Sequence, residues 1–156
     1  MQQNIVIDTN IWIKAIVDSE YDLACDDALS AFFQCNSLYL ALDYNNEIER
    51  EYRDNIKNSR KFELRMKQLS REQRKVWGDS KLSPKDKNTL QKLGFHEEED
   101  HVFVGTAVHA DKVIITEDSD YGVHGESDKQ PVYEYMKNDM ELSVLTAAGF
   151  LDKMSS

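Results

Sequence analysis

Short apolar runs that alternate with helical segments constrain the fold of this chain more than any other feature. Ile5, Val6 and Ile7 form a continuous β-branched run, typical of a strand that is buried on both faces. SLYLALDY (37–44), KVIIT (112–116) and ELSVL (141–145) predict three further strands. Strands separated by amphipathic helices predict a parallel sheet between two helical layers. We therefore expect a three-layer α/β fold with a central parallel sheet of about four or five strands.

The length and composition predict a single domain. The 156 residues are enough to bury a core, and 40% of them are hydrophobic. Within one domain spanning 1–156 we expect a basic helical segment at about 50–77 and an extra loop at about 122–140. Cys25 and Cys35 have no metal-ligand spacing and are expected to be free thiols. The sequence has no apolar run of membrane-spanning length and no signal-peptide pattern, which favours the cytoplasm.

Charge is unevenly distributed along the sequence. The formal net charge is −10, yet the segment 50–75 carries ten basic and four acidic residues, which makes it +6 and the remainder −16. Such a segment is either a solvated helical face or a surface for an anionic partner. The candidate nucleic-acid-binding residues are Arg50, Arg53, Lys57, Arg60, Lys61 and Arg65.

Acidic residues recur where the predicted strands end. Asp8 directly follows the first strand, and Asp118 and Asp120 follow KVIIT. Glu47 lies in the first turn of the helix after SLYLALDY, and Asp100 is in register with the buried stripe of a later helix. Each acid could instead cap a helix or a turn. However, ligands of open parallel sheets bind at the carboxyl ends of the strands, so these acids are expected to converge there.

Four converging carboxylates would repel one another strongly unless cations neutralised them. Hard divalent cations such as Mg²⁺ take oxygen ligands, and two of them would cancel the charge of four acids. The residues therefore predict a divalent-metal site whose ligands are Asp8, Glu47, Asp100 and Asp118. Asp8 would be a ligand held rigid by the strand that precedes it.

These blocks resemble the PIN-domain nucleases. The resemblance rests on VIDTNIWI (6–13), NNEIEREY (45–52) and DHVFVGTAVHADKVIITEDSDY (100–121), which follow the order found in that family. It implies a cluster of acids that binds Mg²⁺ or Mn²⁺ and hydrolyses RNA, and many bacterial members are toxins of toxin–antitoxin pairs. The implied ligands are again Asp8, Glu47, Asp100 and Asp118, with Asn10 and Thr116 as polar support and Asp120 beside them.

The mechanism expected from this site is metal-dependent hydrolysis, in which two ions about 3.5–4 Å apart activate water and stabilise the leaving oxygen. His101 is a candidate for phosphate contact or proton transfer. Trp12 and Trp77 are candidates for base stacking, although Trp12 lies on an apolar face. The expected partners are RNA or single-stranded DNA, an antitoxin or other inhibitory protein, and a second copy of the chain. The alternative is a catalytically silent PIN-like module that binds nucleic acid or serves as a scaffold.

Overall fold

The computed structural model describes every residue from Met1 to Ser156 and confirms the three-layer α/β prediction. A single parallel sheet has the order β3-β2-β1-β4-β5. Its strands are β1 (Gln3–Ile7), β2 (Leu38–Asp43), β3 (Lys75–Gly78), β4 (Val113–Ile115) and β5 (Ser143–Leu145). The helices are α1 (Thr9–Ile16), α2 (Leu23–Gln34), α3 (Glu47–Asn55), α4 (Arg60–Arg71), α5 (Pro84–Lys92), α6 (Glu98–Val108), α7 (Gln130–Glu134) and α8 (Ala147–Ser155). No helix is both long enough and apolar enough to cross a membrane.

The direction in which the chain crosses the sheet reverses once. The strands β1, β2 and β3 follow one another toward one edge, and the chain then returns to place β4 on the other side of β1. Because crossovers between parallel strands are right-handed, α1 to α4 cover one face and α5 to α7 cover the other. The boundary between β1 and β4 is therefore the switch point, where a crevice opens at the carboxyl ends of the strands.

Aromatic side chains join the four helices of the first layer. The fully buried ring of Trp12 on α1 lies 6.0 Å from Phe33 on α2, 5.4 Å from Tyr52 on α3 and 5.3 Å from Phe62 on α4, between ring centroids. Tyr52 also donates a hydrogen bond to the carbonyl oxygen of Ile7, the last residue of β1. This packing fixes α3 against the end of the central strand.

The basic segment 50–77 departs from the continuous helix that its sequence predicted. It contains the end of α3, the separate helix α4 and the edge strand β3. Asn58 adopts a left-handed φ of 56°, and the Ser59 hydroxyl caps α4 by accepting from the Phe62 amide. Gln73, with φ 54°, then turns the chain into β3. These turn residues interrupt the helix, so the prediction was wrong on this point.

The predicted loop 122–140 is largely helical. It contains a 3₁₀ turn at Ser127–Lys129, the helix α7 and a π-helical turn at Tyr135–Asp139. Val132 and Met136, four residues apart, are fully buried and hold this segment on the core. Residues four apart lie on one face of a helix, so the helical conformation lets both of them reach the core.

Arg74 belongs to the basic segment but is a core residue, with only 2% of its surface exposed. Its guanidinium donates to the carbonyls of Phe32, Phe33 and Cys35 at the end of α2, at 2.8, 3.1 and 3.1 Å. It also donates to the Leu38 carbonyl at 2.9 Å. The side chain therefore satisfies the last carbonyls of a helix and complements its dipole, and it is inaccessible to a nucleic acid.

We expect Arg74→Met to lower the free energy of unfolding by about 3 kcal/mol or more, because it leaves several buried carbonyls without donors. Urea unfolding followed by circular dichroism measures this change. Arg71→Met is the matched control, since Arg71 is exposed at the end of α4, and it should change stability by less than about 0.5 kcal/mol. Equal stabilities for the two variants would show that the carbonyl contacts of Arg74 contribute little.

Candidate metal centre

Asp8 lies at the switch point of the sheet and is 5% exposed. Its amide donates to the Ile115 carbonyl at 2.9 Å, which extends the pairing of β1 with β4 by one residue. Its carboxylate accepts from the Thr9 amide at 2.8 Å and from the Thr116 hydroxyl at 2.6 Å. Asp8 is therefore both the cap of α1 and a rigidly held carboxylate in the crevice.

Three further acids meet beside it. Asp100, in the first turn of α6, and Asp118 and Asp120, after β4, each place a carboxylate oxygen within 4.8 Å of the others. The Thr116 hydroxyl accepts from the Asp118 amide at 3.0 Å while donating to Asp8, so it couples the two strand ends. The Asp118 carboxylate accepts from the Asp120 amide at 2.9 Å. We call Asp8, Asp100, Asp118 and Asp120 the acid cluster.

The acid of α3 that contacts the residues of the crevice is Glu51, whereas the sequence prediction named Glu47. Glu51 accepts from the Thr9 hydroxyl at 2.5 Å and contributes to the electrostatic field at Asp8 and Asp100. Glu47 is exposed one helical turn earlier. Asp43, which is fully buried, accepts from the amides of Glu47 and Ile48 at 2.9 Å each and so sets where α3 begins. The role of Glu47 stays a prediction.

Burial and mutual repulsion disfavour ionisation of these acids. Burial, the largest cause, raises the pKa of Asp8 to about 7, although its hydrogen bond from Thr116 opposes the shift. Burial and then repulsion from Asp8, Asp118 and Asp120 raise the pKa of Asp100 to about 8. Burial likewise raises the pKa of Asp118 and of Glu51. The one nearby ion-pair partner is Lys129, whose Nζ is 3.9 Å from the Asp120 Oδ1.

The donor set of the cluster fits a divalent cation. Converging carboxylate oxygens are the ligands that Mg²⁺ and Mn²⁺ prefer, and a bound cation would relieve the repulsion among them. The Tyr121 hydroxyl is fully buried without a hydrogen-bond partner, and the charges of Asp8, Asp100 and Asp118 act on it. An ordered water or an ion-bound water at the cluster would satisfy that hydroxyl.

The other predicted residues around the site have structural contacts. Asn10 accepts from the Glu117 amide at 3.1 Å and so fixes the turn after β4. His101 is buried, stacks on Phe95 and contacts the Phe95 carbonyl through Nε2 at 2.8 Å, which favours a structural role. Trp12 is in the core and Trp77 is 48% exposed.

Outside the cluster, a groove of about 610 Å³ runs between α3 and α6. Five acids and one arginine supply its charged lining: Glu47, Glu51, Asp54, Glu98, Glu99 and Arg50. Glu51 lines this groove and also accepts from Thr9, the residue next to Asp8. Its charged lining is predominantly acidic, so the groove favours cations over anions.

The six candidate nucleic-acid-binding residues differ in how available they are. Arg53 pairs with Glu49 at 3.1 Å and with Glu63 at 2.8 Å, and Lys61 pairs with Asp26 at 3.3 Å. The Arg65 guanidinium lies 4.5 Å from the centre of the Phe33 ring. The three exposed residues of the set without an ion pair are Arg50, Lys57 and Arg60.

Comparisons with known proteins agree with this architecture. A family model described as a PIN domain matches residues 4–120. The chain is similar in structure to a chain of VapBC2 from Rickettsia felis, solved bound to a DNA fragment from their promoter. The TM-score is 0.50 at 15% identity, covering 92% of this chain and 98% of that chain, which supports the fold alone. No curated protein matches the sequence. Because the family model spans most of the chain, including the whole acid cluster, the chain belongs to the PIN domain family.

Proposed function

We propose that this chain is a divalent-metal-dependent nuclease, most specifically an endoribonuclease, formed by one domain that spans residues 1–156. The observation that carries the proposal is the convergence of Asp100, Asp118 and Asp120, whose carboxylate oxygens lie within 4.8 Å of one another and whose charges, with that of Asp8, repel. Lys129 is their one ion-pair partner. A family whose members are nucleases supports the reaction class. The proposed place of action is the cytoplasm.

The acid cluster, Asp8, Asp100, Asp118 and Asp120, would hold Mg²⁺ or Mn²⁺, with Glu51 at the border of the site. Bound there, the ion would activate water and neutralise charge at the phosphodiester. Thr116 fixes the relative positions of Asp8 and Asp118 through its two hydrogen bonds. Thr9 orients Glu51, and Asn10 holds the turn that carries Asp118. The protein thus contributes preorganised carboxylates and needs no side-chain nucleophile.

The proposed partner is an inhibitory protein that presents a basic side chain to the acid cluster. Clustered carboxylates without an ion attract Arg or Lys, and a bidentate arginine pair would occlude the site. The solved VapBC2 assembly shares the fold of this chain, which is consistent with a toxin of a toxin–antitoxin pair. The alternative is a housekeeping RNA-processing enzyme, or a PIN domain without catalysis.

Cleavage of labelled RNA, with labelled DNA in parallel, tests the proposal. Wild-type protein should cut RNA only with Mg²⁺ or Mn²⁺, and Asp100→Asn should lower the rate by at least about 100-fold. Asp100 is the cleaner inactivating change, because Asp8 also accepts two hydrogen bonds that hold the fold. No cleavage by folded wild type, together with no metal-induced rise in melting temperature, would favour the catalytically silent module.

Expression of wild type and of Asp100→Asn in cells distinguishes a toxin from a housekeeping enzyme. If the protein is a toxin, strong induction of wild type should slow growth, Asp100→Asn should not, and co-expression of the genomic neighbour should restore growth. Identical growth of both strains, while purified wild type still cuts RNA, would contradict the toxin role and support RNA processing.

Substitution of two glutamates one helical turn apart tests which acid of α3 contributes to metal binding. We expect Glu51→Gln to weaken Mn²⁺ binding by about 10- to 100-fold, because Glu51 borders the cluster. Glu47→Gln should leave the affinity nearly unchanged, because Glu47 is exposed at the mouth of the groove. Isothermal titration calorimetry measures both affinities. If Glu47→Gln weakens Mn²⁺ binding more than Glu51→Gln does, Glu47 is the ligand, as the sequence predicts.

The raised pKa of Asp100 predicts how stability depends on pH in the presence of a chelator. Between pH 3.8 and about 8 the folded state retains a proton at Asp100 that the unfolded state releases. The folded state binds more protons in this window, so the contribution of Asp100 to stability falls as pH rises. Asp100→Asn lacks this titration and should gain in melting temperature relative to wild type from pH 4 to pH 8.

Asp128→Asn is the control for that experiment, since Asp128 is exposed and makes no ion pair. Its melting temperature should follow that of wild type at every pH. A constant offset between Asp100→Asn and wild type across the pH range would show that Asp100 is not held at a raised pKa. Adding Mn²⁺ should stabilise wild type more at high pH, where its carboxylates are deprotonated.

A further inference from the structure

One lysine lies at the edge of the acid cluster. The Lys129 Nζ is 3.9 Å from the Asp120 Oδ1 and donates to the Gly94 carbonyl at 3.4 Å. Its side chain is only 21% exposed, and no other lysine or arginine forms an ion pair with an acid of the cluster. A lysine ammonium is normally directed into solvent, so its position beside the carboxylates has a cause in the fold.

Two turns of the backbone pack closely enough to place Lys129 there. The 3₁₀ turn Ser119–Tyr121, which carries Asp120, ends at Gly122, whose φ of 72° is left-handed. A Cβ built on Gly122 would lie 2.6 Å from the Lys129 carbonyl oxygen and 3.1 Å from the Tyr133 Cβ. A residue without a Cβ at position 122 therefore lets the turn after β4 contact the backbone of Lys129.

The segment that follows Lys129 is fixed to the core. Lys129 directly precedes α7, and Val132 and Met136 are both fully buried. The Tyr135 hydroxyl donates to the Asp86 Oδ1 at 2.6 Å, which joins the same segment to α5. Packing and hydrogen bonding on both sides of Lys129 thus determine where its side chain begins.

The charge of Lys129 acts on the acids of the cluster. Burial raises the pKa of Asp118, and the positive charge of Lys129 opposes that shift. Repulsion from Asp8, Asp118 and Asp120 reaches Asp100 as well, so a cation paired with Asp120 offsets part of the repulsion in the whole cluster. The same positive charge repels a divalent cation that approaches the carboxylates.

We propose that Lys129 is a tethered counter-ion of the acid cluster, which stabilises the clustered carboxylates without metal and limits how tightly they bind a divalent ion. The inference rests on the proposed metal-dependent function. An ion that enters the cluster meets carboxylates already partly neutralised by Lys129, so it relieves less repulsion than it would in a cluster without the lysine. Limited affinity makes occupancy of the site depend on the free concentration of the ion. Lys129 is thus a positioning residue that sets the metal requirement of the proposed reaction.

Titration calorimetry with Mn²⁺ tests the sign of this effect. Lys129→Met removes the charge and keeps an unbranched side chain, and it should bind Mn²⁺ roughly 10-fold more tightly than wild type. If Lys129 only supported the fold, its loss would loosen the ligands and weaken binding. Lys129→Arg retains the charge and should bind as wild type does. Lys137→Met is the matched control, because Lys137 is exposed in the same segment without an ion pair, and it should not change the affinity.

Melting temperatures measured with a chelator test the role of Lys129 without metal. Lys129→Met should melt below wild type at low salt, and the difference should shrink as salt screens the charges. The double variant Lys129→Met/Asp120→Asn should recover part of the melting temperature, because it also removes one of the repelling carboxylates. Packing lost with the lysine stem would not be recovered by a change at Asp120, so this recovery identifies a charge interaction.

Three outcomes would overturn the inference. The first is an Mn²⁺ affinity of Lys129→Met that is equal to or weaker than that of wild type. The second is an affinity of Lys129→Arg that matches Lys129→Met, and the third is a melting difference that salt does not change. If any of these occurs and wild type still cuts RNA with Mn²⁺, the nuclease proposal stands. Tighter Mn²⁺ binding by Lys129→Met, without RNA cleavage by wild type, would instead preserve this inference and refute the nuclease.

Discussion

The hydrogen bond from Thr116 to Asp8 joins two residues that are 108 positions apart, and the candidate site depends on it. It forms only because β4 returns to pair with β1 after the chain has built the other half of the sheet. Tyr52 secures the same strand end from α3 by donating to the Ile7 carbonyl. The position of the acid cluster is therefore a consequence of sheet topology, and a local motif alone would not assemble it.

This assembly has an energetic cost that the rest of the fold must offset. Burying carboxylates close together raises the pKa of Asp8 to about 7 and that of Asp100 to about 8, so ionising both at neutral pH works against folding. Two other regions supply stability. The aromatic cluster around Trp12 packs in the first helical layer, and Arg74 donates to the carbonyl of Leu38 at the start of β2. A site that is strained without its ion binds the ion more strongly, because binding relieves the repulsion.

Much of this structure was predictable from periodicity. The continuous apolar runs identify β1, β2, β4 and β5, and Asp8, Asp100 and Asp118 could be placed because each follows a strand or lies on a buried helical stripe. The contact of Glu51 with Thr9 could not be predicted, since the rotation of α3 depends on where Asp43 caps it. The edge strand β3 is only four residues long, partly exposed and next to helical sequence. Its pairing with β2 is a tertiary effect that local sequence does not encode.

The distribution of charge limits how strongly this acidic protein attracts an anion near the acid cluster. The Arg74 guanidinium donates to backbone carbonyls. Arg53 pairs with Glu49 and Glu63, Lys75 also pairs with Glu49, and Lys61 pairs with Asp26. Part of the positive charge of the segment 50–75 is thus used within the fold, while Arg50, Lys57 and Arg60 stay exposed without an ion pair. Of these three residues only Arg50 lines the groove, where five acids surround it. An anionic ligand would therefore meet little positive charge near the acid cluster unless a cation is bound there.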